Sequence, residues 1–380
     1  MTLLRGRVVL ADGVLDDAVV ELDGARVRAV RPAAPGDPAP IGSVLPGLVD
    51  VHCHGGGGAS FATTDPDEVS AAARFHRQRG TTTVVASLVT EPVEVMVQRC
   101  GLLASVCGTP ATGTVTSLAG IHLEGPFLSP RRRGAHPEHL LRAPDPALLT
   151  RLLDAGAGYV RHVTLAPELA GYDALADLVR AAGAVVALGH SDADAATAAA
   201  AFDRGARAAT HLFNAMRPWG HRASSVVSAA LAAAARGEAV VELVADGTHL
   251  DAGTVTAVLA LVPGQVALVS DAVPPAGLPD GAHVLGAVGV RVVDGVVRTT
   301  DGALAGGSGS LLDVVRFTVQ QAGVPLARAV DAASRVPAAL LRLDRTLGVG
   351  RLAPGSRADV LVLDDDLRPV QVWQAGVQVH

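Results

Sequence analysis

Two histidines separated by one residue, His52 and His54, close the first long apolar run of the chain. Glu124, His190, His211, His249 and Asp271 each fall at or just past the end of a later run. Imidazole and carboxylate are the ligands that borderline divalent cations such as zinc favour, and a catalytic site of this kind keeps one position open for water. On a strand, residues two apart face the same way, so His52 and His54 can reach one ion while Cys53 points toward the outer layer. Cys53 therefore reads as structural, although a thiolate is a good zinc ligand. The chain contains no lysine; all 31 basic residues are arginines. That excludes a Schiff base, a P-loop lysine, a Ser-x-x-Lys nucleophile and a carbamylated lysine bridging two metals. Glu124 is then the candidate for a bridging carboxylate. Asp271 has two possible roles, metal ligand or general base beside an activated water.

These residues need elements that bring their ends together. Apolar runs lie near Leu48–His54, Thr82–Leu88, Ser117–Leu123, Tyr159–Leu165, Ala184–Leu188, Ala206–Leu212, Val240–Ala245 and Val266–Ser270. Helical stretches separate them. Asp65-Pro-Asp-Glu68 opens one with acids and an early proline, Ser191-Asp192 precedes another, and Gly80, Gly183 and Gly205 sit where helices should end. Strand followed by helix, eight times over, is the pattern of an α/β (β/α)8 TIM barrel, whose active site lies at the C-terminal ends of its strands.

The ends of the chain break that pattern. Leu3–Leu10, Ala18–Leu22 and Arg26–Val30 read as short strands with turns at Asp12-Gly13 and Asp23-Gly24, and Ala358–Leu363, Val370–Trp373 and Val377–His380 as more. Residues 31–42, with four prolines, read as a linker. The expected division is a small β-sandwich domain from 1–45 and 346–380, and a catalytic barrel over 46–345. Residues 282–300 read as a hairpin inserted after the eighth strand.

Composition narrows the class. Of 380 residues, 49% are hydrophobic and 18% charged, enough for a large core and against disorder. No apolar run approaches the ~18 residues of a membrane span, and the alternating start lacks the apolar segment of a signal peptide. Three cysteines give no disulfide framework and point to a reducing cytoplasm. A net charge of −6 argues against nucleic acid and anionic membranes as partners, but not against a small anion met by a local arginine. Arg131-Arg-Arg133 is a candidate for steering a phosphate or capping the site, with a solvated loop face as the alternative. Asp364-Asp-Asp366 reads as an exposed turn, and Gly55–Gly58 as backbone passing close to the site rather than an anion cradle.

Leu45-Pro-Gly-Leu-Val-Asp-Val-His-Cys-His-Gly55 resembles the amidohydrolase superfamily. Gly120-Ile-His-Leu-Glu-Gly-Pro-Phe127, Gly189-His-Ser191, Thr210-His-Leu-Phe-Asn-Ala-Met216, Asp246-Gly-Thr-His249, Ser270-Asp-Ala272 and Gly302-Ala-Leu-Ala-Gly-Gly-Ser308 resemble one family within it, the N-acetylglucosamine-6-phosphate deacetylases. The resemblance implies that Glu124, His190 and His211 hold the principal metal. It makes His52 and His54 a second site that some members keep. Asp271 matches the catalytic acid/base, His136 a substrate-contacting histidine, and Asn214, Ala215, Arg222 and His249 the sugar- and phosphate-binding positions. It further implies a divalent metal, zinc first and Fe2+, Mn2+ or Co2+ as alternatives, one or two per subunit, and a homodimer across which Arg222 reaches. One departure is local: the family's His-Arg pair is usually followed by Glu-Pro-Gly, whereas His221-Arg222 is followed by Ala-Ser-Ser. The alternatives are an amidohydrolase acting on another N-acetylhexosamine phosphate, a cyclic amide or an acylated amino acid, and a non-catalytic sugar-phosphate-binding regulator.

Overall fold

The computed structural model describes every residue except 12, 108–116 and 287, so Asp12 of the first expected turn lies outside the described residues. Eight parallel strands form the centre: β1 (Leu48–Cys53), β2 (Thr81–Leu88), β3 (Ser117–Glu124), β4 (Val160–Leu165), β5 (Val185–Leu188), β6 (Ala208–Ala209), β7 (Val240–Leu243) and β8 (Val266–Leu268). Each pairs with the next in sequence. The ring closes beyond β8, where the Asp271 N–H donates to the His52 carbonyl at 2.9 Å and Cys53 bridges Ala272 in parallel. The architecture is a (β/α)8 barrel.

The apolar runs of the sequence are interrupted by single polar residues, and those face inward. Asp50, His52, Ser87, His122, His162, Thr164, Thr210, Glu242 and Ser270 are all buried. They bond across the lumen: Asp50 to Ser270, Ser87 to His122, His122 to Thr164 and Thr164 to Thr210. Valines and leucines on the other face of each strand pack under the helices. The helix Pro66–Arg77 starts as expected, with Asp65 capping the Asp67 N–H and proline in the first turn. The helix after β5 begins at Ala195, just past Ser191-Asp192 as expected, with Asp194 capping it at the Thr197 N–H.

The two chain ends meet in one seven-stranded sheet, ordered Val377–Gln378, Pro369–Gln374, Val360–Leu363, Ser43–Pro46, Thr2–Leu10, Gly13–Asp23, Arg26–Pro32. The sheet folds back on itself. Val27 exchanges hydrogen bonds with Ser356 and Gly355, bringing the last strand of the order against the segment that enters Val360–Leu363. Between the layers lie Leu4, Val8, Val20, Leu22, Val44, Val360 and Val362. Two expectations shift. Arg31 and Pro32 belong to a strand rather than a linker, since proline at a strand end costs no needed hydrogen bond. The insertion after β8 is a three-stranded meander, Gly281–Leu285, Val288–Val293 and Val296–Thr299, with its own small core of Leu285, Val290, Val292 and Val297 under Val273.

Candidate active site

The strand ends open on a cleft of about 840 Å³. His54, Glu124, His136, His190, His211, Asn214, Ala215, His249 and Asp271 all line it. The turn that aims each side chain inward is strained: His190, His211 and Asp271 have φ of 46°, 29° and 47°, in the left-handed region that residues other than glycine seldom enter. Ala215 is in the same region at 49°, and its carbonyl accepts from the Ser191 N–H.

Glu124 Oε1 lies 3.1 Å from His190 Nε2 and 3.0 Å from His211 Nε2, and those nitrogens are 3.0 Å apart. Ligands held ~2.0–2.1 Å from one ion stand roughly 2.9–3.4 Å from each other, so this triangle has the spacing that ligands of one ion would have. The protonation pattern agrees. His190 Nδ1 donates to the Arg132 carbonyl at 2.9 Å, which leaves the Nε2 lone pair facing Glu124. On the other side, His52 Nε2 and His54 Nε2 are 3.1 Å apart. His54 Nε2 is 3.2 Å from both Glu124 Oε2 and Asp271 Oδ1. Glu124 Oε1 faces His190 and His211 and also lies 3.5 Å from His52 Nε2, while Oε2 faces His54, so the carboxylate stands between the two histidine pairs. Two buried carboxylates and four converging ring nitrogens are a donor set for one or two divalent cations.

Charge in this cluster is set by the carboxylates. Burial works against a charged Asp271, but the charges on His52 and His54 more than offset it and hold its carboxyl well below the usual range. Burial likewise opposes protonation of His52, and Glu124 and Asp271 override it, raising its pKa. The pocket therefore favours positive charge between its acids.

His136 is different from the other four. Its Nδ1 accepts from the Thr90 backbone N–H at 3.2 Å and lies 2.9 Å from Thr90 Oγ1. Burial pushes its pKa down to about 4, the nearby Glu124 carboxylate opposing, so the ring is neutral and, with Nδ1 accepting, carries its proton on Nε2. It offers the cleft an N–H donor rather than a lone pair, and its Nε2 stands 3.7 Å from Glu124. Although Glu124, His136 and His190 lie close enough to be a ligand group, this tautomer turns an N–H rather than a lone pair of His136 toward the cleft. His249 is fixed by Asp246, whose carboxylate accepts from Nδ1 at 2.8 Å, and its Nε2 reaches to 3.8 Å from Asp271.

Arg222 is not brought to the cleft. It sits with Trp219 and His221 on the exposed loop 217–224. The three arginines at 131–133 also stay outside. Arg131 and Arg132 pair with Asp192, and Arg133 with Asp301 at 2.7 Å, bracing the segment whose continuation, Gly134–Pro137, walls the cleft. Gly55–Gly58 pack their backbone on Phe75 and Leu278, where a Cβ at Gly56 or Gly57 would strike the Phe75 ring. Cys53 faces the helix layer, its Sγ 3.1 Å from His76 Nε2.

Sequence reasoning missed Thr90, Asp246 and Glu242. An acid inside the apolar run Val240-Val-Glu-Leu243 was a usable signal; Thr90 acts through its backbone and gave none. It also missed the apolar wall of Val273, Leu285, Val288 and Leu304, contributed by the segment after β8, the meander and the loop after it.

The amidohydrolase family model matches residues 43–379. The N-acetylgalactosamine-6-phosphate deacetylase of Escherichia coli O157:H7 is 33% identical over 376 residues, covering 98% of this chain and 98% of its own. The human N-acetylglucosamine-6-phosphate deacetylase is 38% identical over 344 residues, covering 88% of this chain and 82% of its own. Among solved structures, a mutant N-acetyl-D-glucosamine-6-phosphate deacetylase of Mycobacterium smegmatis in complex with N-acetyl-D-glucosamine-6-phosphate is similar at a TM-score of 0.93 and 37% identity, covering 100% of this chain and 99% of that one.

Proposed function

The chain belongs to the amidohydrolase family, and we propose that its reaction is hydrolysis of the acetamide of N-acetylglucosamine 6-phosphate to glucosamine 6-phosphate and acetate. The observation that carries this reading is the convergence of Glu124, His190 and His211 within 3.1 Å beside Asp271, in one cleft.

In this reading Glu124, His190 and His211 hold the principal divalent cation, zinc in preference to Fe2+, Mn2+ or Co2+, and His52 with His54 supports a second. A cation so held supplies Lewis-acid chemistry, acidifying water toward a pKa of ~7 and polarising a carbonyl. The chain's own groups do the rest. Asp271, ionised at rest, takes the proton of the attacking water. His136 donates its Nε2–H to the acetamide oxygen as negative charge develops there. Asp271 then returns its proton to the departing nitrogen, which as a free amide anion would be too basic to leave. His249, with Asn214 and the Ala215 backbone, binds the phosphosugar, and Arg222 of a partner subunit completes the phosphate contact in a homodimer. The division into a terminal β-domain (1–45 and 346–380) and a catalytic barrel (46–345) follows the same reading. So does a cytoplasmic location; among the described residues no helix is long and apolar enough to cross a membrane.

A second reading is favoured by one finding. The relative matched over 98% of both chains acts on the galacto epimer, so N-acetylgalactosamine 6-phosphate is the alternative substrate. Acetate release from both 6-phosphates, at matched metal loading, tests the two. Higher kcat/KM for the gluco sugar supports the first reading, and the reverse preference supports the second. Release from neither, with metal bound, overturns both.

A further inference from the structure

Glu242 lies in β7 with its side chain turned into the barrel beneath the cleft, and it is fully buried. Its Oε2 is 3.1 Å from His52 Nδ1 and 3.3 Å from the His211 backbone nitrogen. From this geometry we infer that Glu242 is the positioning residue for both proposed metal positions, holding His52 by its ring and His211 by its backbone. The inference rests on the metal-site reading above and extends it to a residue that touches neither substrate nor ion.

Glu242 first sets the tautomer of His52. To ligate a metal the His52 ring must be neutral, with one N–H and one lone pair, and a carboxylate oxygen only accepts. Glu242 therefore keeps the His52 proton on Nδ1 and leaves the Nε2 lone pair aimed at the cluster, 3.1 Å from His54 Nε2 and 3.4 Å from Asp271. His211 needs support of another kind. Its Nδ1 is buried with no hydrogen-bond partner among the described residues, so none of them fixes the ring from behind. Its direction depends on a backbone at φ 29°, a conformation that must be held by its surroundings. Glu242 holds it twice. The His211 N–H donates to the side chain, and the Leu212 N–H donates to the Glu242 carbonyl at 2.8 Å. The remaining oxygen, Oε1, faces His162 Nε2 at 3.7 Å.

A fully buried carboxylate is costly, and replacing such a group by an apolar one of similar size is often neutral or stabilising when its only role is structural. A carboxylate that orients metal ligands behaves differently: losing it costs metal affinity, typically 10–100-fold. The two roles separate in one experiment. Metal-free wild type, Glu242→Gln and Glu242→Leu are titrated with zinc against a chromogenic chelator, and the thermal melting of each metal-free protein is recorded. The expected result is a 10–100-fold loss of zinc affinity in Glu242→Leu, a smaller loss in Glu242→Gln, whose amide oxygen can still accept from His52, and metal-free melting no lower in Glu242→Gln than in wild type. Unchanged zinc affinity in both variants overturns the inference. So does a loss of affinity that only parallels a loss of metal-free stability in Glu242→Gln. Acetate release by the wild type, measured alongside, tests the deacetylase reading separately, and a wild type that binds no zinc would remove the metal reading on which the inference stands.

Discussion

The Thr90 backbone N–H donates to His136 Nδ1, and that single contact assigns the proton of a neutral ring to the nitrogen facing the cleft. His136 is therefore expected to act on the substrate oxygen and not on the metal. His136→Phe should retain wild-type metal content while losing about 10²–10³ in kcat, the scale of one oxyanion donor, with a smaller change in KM. Metal analysis and steady-state kinetics on the same preparation check it; metal lost in step with activity would make His136 a ligand.

Glu124 is the carboxylate that stands between the two histidine pairs, within 3.5 Å of a ring nitrogen of all four. Glu124→Gln keeps its shape and removes its charge. It should lose most bound metal from both positions, together with nearly all activity. Elemental analysis of the purified variant decides, and full occupancy would refute the bridging assignment.

Asp271→Asn cannot accept a proton but can still fill the same space. A loss of roughly 10²–10⁴ in kcat is expected, with substrate affinity largely kept, as for removal of a general base. Single-turnover kinetics with a substrate titration separate the outcomes. Near-normal turnover would end the proposed mechanism, and loss of metal would make Asp271 a ligand instead.

Much of this site was legible before the fold was known, for a simple reason. In a barrel the chemistry lies at strand ends, and strand ends are where apolar runs stop. His52, His54, Glu124, His190, His211 and Asp271 were found that way, and the barrel with them. What stayed hidden acts through backbone or through contacts distant in sequence. The Thr90 N–H reaches His136 across 46 residues, and Glu242 reaches His52 across 190. Neither pairing has a spacing to read. Residues 282–300 read as one hairpin, whereas the structure makes three strands of them, the last, Val296–Thr299, following Val288–Val293 through the Asp294-Gly295 turn.

Arg222 lies exposed and outside the cleft of its own subunit, so a phosphate role requires it to reach a neighbouring one. Arg222→Ala should raise KM for the phosphorylated substrate far more than for the unphosphorylated sugar, because a guanidinium binds phosphate by paired charge-assisted hydrogen bonds. Mixed dimers of Arg222→Ala with Asp271→Asn subunits should recover activity that neither variant has alone. Equal effects on both substrates, or no recovery, would assign the arginine to its own chain's structure.

The last expectation concerns acid. His122 and His162 stack in the barrel lumen with ring centroids 3.8 Å apart and planes 12° apart. Burial is the main cause holding His162 down to about 4, and it holds His122 well below its ordinary 6.5, with His162 adding to the effect. His76, buried against Gly55, is also lowered to about 4. In each case the folded-state pKa lies below the unfolded one, so the unfolded chain takes up protons first as pH falls. Stability from these neutral rings is complete above about pH 6.5 and is lost as pH drops toward 4, by an order of a few kcal/mol each for His162 and His76. Denaturant unfolding of metal-free protein between pH 7.5 and about 4.5 should show that loss. His162 gives the control, since both of its ring nitrogens are buried without a hydrogen-bond partner. His162→Phe keeps a ring stacked on His122, leaves no new donor or acceptor unsatisfied at that position, and removes one titrating group. Its stability should match or exceed wild type near pH 7 and fall less steeply on the acid side. A slope as steep as wild type would show that this stack does not carry the acid sensitivity.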